Sequence, residues 1–147
     1  MISIIHRRHN QPPLKSAFTL VELLIVIIIV AILAAIAIPL FLNQQRGARD
    51  ASVQSDLNGA AQAVETYNAT NGAYPTAAQV NDTDIQVTAG NFVFYTAPSG
   101  STSYLIYGCN AQNGTWFVWN PTTGGLADDT RTTTCDASAS GVGTQVS

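Results

Sequence analysis

Glu22 is the residue whose position calls most directly for chemistry. It is a lone carboxylate at the edge of the apolar stretch Ala17-Phe18-Thr19-Leu20-Val21-Glu22-Leu23-Leu24-Ile25-Val26. Residues 23–42 then form an apolar run of 20 residues, interrupted only by Pro39. A carboxylate at membrane depth is costly, so it calls for a function and a partner. Two further carboxylate pairs, Asp82/Asp84 and Asp128/Asp129, are weak candidates for calcium, an ion that takes six to eight oxygen ligands. Two such acids in a loop more often make solvated turns, and no metal or other cofactor is expected. Cys109 and Cys135 stand 26 positions apart and offer a disulfide if their compartment is oxidising. The only histidines, His6 and His9, lie before the apolar run. Beyond residue 17 the chain has no histidine and no lysine, so it lacks the usual general bases and nucleophile activators apart from carboxylates. An enzyme is not expected.

The elements that must position these groups follow from charge and periodicity. Three of the six basic residues, Arg7, Arg8 and Lys15, precede Ala17, whereas all nine acidic residues follow it. From Phe18 onward three arginines face nine acids, a net of −6. A strong nucleic-acid ligand is therefore not expected, because that surface needs clustered positive charge. The basic start and the apolar run predict a membrane segment with its N-terminus inside. Twenty apolar residues are long enough to span a bilayer as a helix. An ordinary anchor would explain that length, and a secretory signal peptide cut near Ala35-Ile36-Ala37 would explain the basic start. Neither gives Glu22 a role.

The residues around the boundary carry a more specific pattern. Lys15-Ser16-Ala17, then Phe18, Glu22, the apolar run and Pro39, resembles the N-terminal motif of type IV prepilins and type II secretion pseudopilins. The resemblance implies that a prepilin peptidase removes residues 1–17 by cutting between Ala17 and Phe18, and that Phe18 is then N-methylated. Where the family usually has glycine before the cut, this chain has Ala17. The resemblance also implies that Glu22 meets the N-terminal amine of a neighbouring subunit, and that the helix can loosen at Pro39 during assembly. Physically, an unpaired buried charge is strongly destabilising, so such a pair can fix the stagger between packed helices. Pro39 removes one helical hydrogen bond, and a kink is expected there.

The helix is expected to continue past the membrane. Val53, Leu57, Ala60, Val64 and Tyr67 form one apolar stripe at helical spacing, and Asn71-Gly72 supplies a stop. From Phe18 to Asn71 is 54 residues, or roughly 80 Å as one helix. Thr76 and Gln79 offer a capping box for a single helical turn, and residues 85–87 a short strand. Three aromatic and β-branched segments, at 91–97, 103–108 and 115–120, read as an antiparallel meander joined through Pro98-Ser99-Gly100 and Asn113-Gly114. Phe92, Phe94, Tyr104, Ile106, Trp116 and Val118 are one core-facing set. The opposite parity stays open, because each strand is apolar on both sides. After Asn120 the pattern dissolves, and residues 137–147 read as a frayed tail.

The expected architecture is an α+β pilin-like fold. A long N-terminal helix with its apolar half protruding packs on a sheet of about three to four antiparallel strands, beside a C-terminal loop that the resemblance closes with Cys109–Cys135. The expected organisation is a leader at 1–17, a membrane and filament-core helix at 18–42, its amphipathic continuation at 43–72 and a β domain at 73–147. The implied function is that of a type IV pilus subunit serving adhesion, motility or DNA uptake. It would be held in the inner membrane as a precursor, then moved to the cell surface as a helical homo-oligomer by the pilus assembly machinery. A pseudopilin of a type II secretion or DNA-uptake machine is the nearest alternative, and a membrane-anchored or secreted ligand-binding domain the alternative of another class.

Overall fold

The computed structural model describes residues 18–98, 102–139 and 142–146. The leader at 1–17 lies outside the described residues, as does most of the turn expected at Pro98-Ser99-Gly100. The described chain divides into two units, one ending at Leu40 and the other beginning at Phe41.

Helix α1, Leu20–Asn71, is 52 residues long. It ends where the sequence places the stop, with Gly72 at φ 71° and its N–H donating to the Asn68 carbonyl at 2.8 Å. A positive φ suits glycine because it has no Cβ to clash. Within the second unit the predicted stripe is the buried face of α1. Val53, Leu57, Ala60 and Val64 are buried, and Tyr67 is half-buried at its end.

That face packs on an antiparallel sheet that has five strands among the described residues, in the order β4-β3-β2-β1-β5. They are β1 Asn91–Thr96, β2 Leu105–Asn110, β3 Trp116–Asn120, β4 Gly125–Asp129 and β5 Thr144–Val146. The first three are the predicted meander with shifted ends. The other two are additions to the sequence reading, and β5 falls in the segment expected to fray. The strand expected at 85–87 is absent; Ile85 is buried and Val87 packs against the same core without strand pairing. At Thr76 and Gln79 half of the expected capping box forms. The Gln79 side chain accepts from the Thr76 N–H at 3.1 Å and from its hydroxyl at 2.8 Å, and the 3-10 helix Val80–Asp82 follows.

The core-facing parity differs from the set singled out in sequence. Tyr104 and Ile106 do face α1, but their partners there are Val93, Tyr95, Phe117 and Trp119, with Val146 from β5. Phe92, Phe94 and Trp116 belong to the opposite face, and Val118 pairs directly with Tyr107 on that face. There the segment after β4 folds back, and Cys135, Ala139 and Val142 bury Phe94, Cys109 and Trp116. Both sheet faces are covered by the chain itself. This is why the strands alternate without a polar side.

Helix and sheet approach tightly at Gly108. A Cβ there would lie 2.9 Å from Val53 Cγ1 and 3.1 Å from Leu57 Cγ. Interiors this tight do not absorb a methyl group freely. Gly108→Ala is expected to destabilise the fold by about 1–3 kcal/mol, read as a lower denaturant midpoint of the detergent-solubilised chain. An unchanged midpoint would mean that α1 lifts off the sheet at little cost.

One buried polar network pins α1 to the sheet. Asp56 accepts from the Thr88 N–H at 2.9 Å, the Thr88 hydroxyl at 2.8 Å and the Asn91 amide at 2.7 Å. Asn91 also donates to the Ser52 hydroxyl at 2.9 Å and accepts from Asn110 at 2.7 Å. Every member has a partner, so burial of the carboxylate is compensated.

Tyr95 is fully buried and donates to the Pro75 carbonyl at 2.8 Å, tying the turn after α1 to the sheet. Burial, helped by nearby Tyr74, pushes its pKa up to about 12. The unfolded value is about 10. A raised folded pKa means this contribution is intact below about pH 10 and is lost as pH rises toward 12. Alkaline unfolding should therefore be steeper for the parent chain than for Tyr95→Phe, measured by far-UV circular dichroism between those limits. Parallel curves would exclude Tyr95 as the group responsible.

Candidate functional site

Helix α1 opens on Thr19 and Glu22. The Thr19 N–H donates to Glu22 Oε2 at 2.9 Å, and the Thr19 hydroxyl donates to the same oxygen at 2.8 Å. In return the Glu22 N–H donates to the Thr19 hydroxyl at 3.2 Å. This is a complete capping box, in which the side chains satisfy backbone donors that the first turn leaves unpaired. The sequence reading missed it, although Thr-Leu-Val-Glu is its signature. Both bonds converge on Oε2, so the carboxylate is held toward the helix start.

From Phe18 to Leu42 the large side chains are exposed, Phe18 at 82% and Leu20 at 87%. A continuous apolar surface of this extent does not stay in water; it needs lipid or other protein. The helix is long and apolar enough to cross a membrane. Pro39 lies inside α1, and helical structure continues on both sides of it. Its ring removes the hydrogen bond to the Ala35 carbonyl.

The remaining candidates disperse. Asp82 is exposed in the 3-10 helix, and exposed Asp84 accepts from the Gln86 side chain at 3.0 Å. Asp128 is exposed on β4, while Asp129 is paired with Arg131 at 2.7 Å. Among the described residues no three histidine, cysteine or acidic side chains converge to hold a metal ion. Cys109 and Cys135 form a disulfide with a Cα–Cα distance of 5.9 Å. Near it the Trp116 indole donates to the Thr133 carbonyl at 2.9 Å, and Arg131 stacks 3.9 Å from the centre of the Tyr107 ring.

A capped glutamate heads an apolar helix that lipid or other protein must cover, and the same helix continues as an amphipathic half under a sheet. In comparison with known proteins, residues 13–38 match the prokaryotic N-terminal methylation motif. The type IV wide pilus major component PilA4 of Thermus thermophilus is 34% identical over 117 residues, covering 79% of this chain and 89% of that protein. Type II secretion system core protein G of Pseudomonas aeruginosa is 31% identical over 77 residues, covering 52% of this chain and 54% of its own length. The Aeromonas hydrophila core protein G is 34% identical over 65 residues, 44% of this chain and 46% of its own. The chain belongs to the type IV pilin and pseudopilin family, a family of structural subunits rather than enzymes.

Proposed function

We propose that this chain is the structural subunit of a type IV pilus filament. The observation that carries this is the extent of similarity. The relative named as a major pilus component is matched over 89% of its length, whereas the secretion core proteins are matched over about half of theirs. The pseudopilin reading draws on those same core proteins. It predicts a short envelope-bound assembly in place of long filaments that can be sheared from the cell.

On the pilus reading the leader at 1–17 is removed between Ala17 and Phe18, and Phe18 is N-methylated. The segment at 18–42 anchors the precursor in the inner membrane, N-terminus inside, and later forms the filament core. Residues 43–72 continue the helix under the β domain at 73–147, which forms the surface. Prepilin peptidase and the pilus assembly machinery are the partners in these steps. The new amine on Phe18 becomes a cation at the helix start. In a parallel neighbour, shifted by about one helical turn, it can meet Glu22. The capping box supports this role, because Thr19 binds only Oε2 and leaves Oε1 to accept from the amine. Assembly thereby neutralises two charges that would otherwise be buried alone.

Intact mass and N-terminal analysis of protein recovered from cells tests the processing. A chain beginning at N-methylated Phe18 is expected. A start at Ile38 would identify a cleaved secretory signal, and a start at Met1 an ordinary anchor; either removes the filament reading.

A further inference from the structure

Beyond residue 17 the chain has three cations, Arg46, Arg49 and Arg131. Arg131 is bound to Asp129 and stacked on Tyr107. Arg49 reaches the Asn113 side-chain carbonyl at 3.5 Å. Arg46 differs: its carbonyl accepts from Asn113 at 2.8 Å, but its exposed guanidinium donates to no group among the described residues.

Nineteen positions further along the same helix stands a carboxylate in the complementary state. Glu65 accepts from the Tyr104 hydroxyl at 3.0 Å and from the Tyr74 hydroxyl at 3.4 Å, both on Oε1. Oε2 accepts from no group among the described residues. The two tyrosine rings pack at a tilt of 56° with centres 4.9 Å apart, and their hydroxyls hold the carboxylate in place. Burial and the hydrogen bond to Glu65 raise the pKa of Tyr104, so this support persists at any physiological pH. Glu65 lines a cleft of about 660 Å3 whose other walls include Tyr104, Trp119, Asn58, Gln62 and Thr66. An oriented carboxylate beside two aromatic rings suits a guanidinium, which pairs with carboxylates and stacks on ring faces.

We infer that this cleft is the seat for Arg46 of a second copy of the chain, a lateral contact that rests on the filament reading above. The two patches lie roughly 28 Å apart along the helix, at 1.5 Å per residue, and on faces turned by roughly 100°. Contact between unlike patches is heterologous. Repeated without closure it builds an open filament in which all subunits point the same way. The Phe18–Glu22 pair needs an offset of roughly 6 Å by the same rise. The two contacts therefore serve different neighbours of each subunit, one locking the helix heads and the other the globular layer. Because two tyrosines already orient Glu65, the pair loses less side-chain freedom on forming than an ordinary surface ion pair.

The test uses the full chain in cells that carry the assembly machinery. Glu65→Gln keeps an acceptor for both tyrosines and removes the charge. It and Arg46→Gln are each expected to lower the yield of sheared filaments roughly fivefold, the factor of a strong exposed ion pair. The exchange of Arg46→Glu with Glu65→Arg should recover much of that loss. Arg46→Cys combined with Glu65→Cys, treated with a bifunctional methanethiosulfonate reagent long enough to replace the two side chains, should give a ladder of cross-linked multimers in sheared filaments, collapsing on reduction, since two cysteines at such a contact stand too far apart for a direct disulfide. Normal yield from both single variants without a ladder overturns the contact and leaves the filament reading standing. Loss of membrane-resident subunit in Arg46→Gln alone, again without a ladder, overturns it in favour of a lipid headgroup as the partner of Arg46. Absence of filaments from the parent chain overturns both readings.

Discussion

Replacing Glu22 by alanine is expected to leave the precursor in the membrane while lowering filament yield by roughly two orders of magnitude, the scale of an uncompensated buried charge. The substitution makes the apolar run more apolar, so insertion does not suffer. On the proposed pilus reading, what it removes is the acceptor for the amine that cleavage would create on Phe18. Alanine also deletes half of a capping box, since Glu22 accepts from the Thr19 N–H and hydroxyl. That second loss must be separated from the first. Glu22→Gln does so, because glutamine can still accept from Thr19 and complete the box while carrying no charge. If charge pairing governs assembly, glutamine behaves like alanine. If capping governs it, glutamine restores filaments. Filament yield after shearing, with membrane-resident subunit measured in parallel, distinguishes these outcomes. Normal yield from Glu22→Ala would end the proposed role of the residue.

The legible parts of the molecule were those where local chemistry and tertiary context agree. Helix α1 follows from the 3.6-residue stripe Val53, Leu57, Ala60 and Val64, and its end from Gly72, which takes a positive φ. Strands β1 to β3 follow from their aromatic and β-branched content. The family resemblance rests on a few residues around Phe18, Glu22 and Pro39, and comparison with known proteins bears it out.

The rest was hidden for identifiable reasons. Parity of the sheet cannot be read from strands that are apolar on both faces, because the choice depends on which layer covers which side. Here α1 covers Val93 and Tyr95, and the segment after β4 covers Phe94 and Trp116. Strand β4 has Leu126 as its one large apolar residue; the better signal was the turn at Gly124 and Gly125, at φ 106° and 104°. Strand β5 is three residues long and has no pattern of its own. It exists because Val93, Phe94 and Tyr95 offer a free edge, and because Val146 reaches the core beneath it. Asp56 was illegible as a site, since a polar residue beside an apolar stripe reads as solvent-facing until Thr88 and Asn91 are folded over it. Thr19 with Glu22 was legible as a cap and was obscured by the apolar context.

Loss of the Cys109–Cys135 bridge is expected to have the largest effect on the stability of the folded domain. The bridge closes a separation of 26 residues, which in the chain-entropy model corresponds to about 3–4 kcal/mol. That is a large part of the 5–15 kcal/mol typical of a native domain. Domains of about 100 residues lose roughly 4–8 °C in melting temperature per kcal/mol, so the double variant Cys109→Ala/Cys135→Ala should melt roughly 12–30 °C lower. The damage should be local before it is global. After β4 the described residues of the returning segment that enter the core beneath it are Cys135, Ala139 and Val142. Side chains this small offset little of the entropy of ordering a chain rich in threonine and serine. The chain reaches β5 only after passing through that segment. Without the bridge, β5 should detach from β1, carry Val146 out of the core and leave the β1 edge unpaired, an invitation to aggregation. Hydrogen exchange on the solubilised double variant should show the amides of Thr144–Val146 losing protection while those of β2 and β3 keep theirs. If β5 stays as protected as in the parent, the outer layer holds by packing alone, and the bridge is a fastening that the fold does not need.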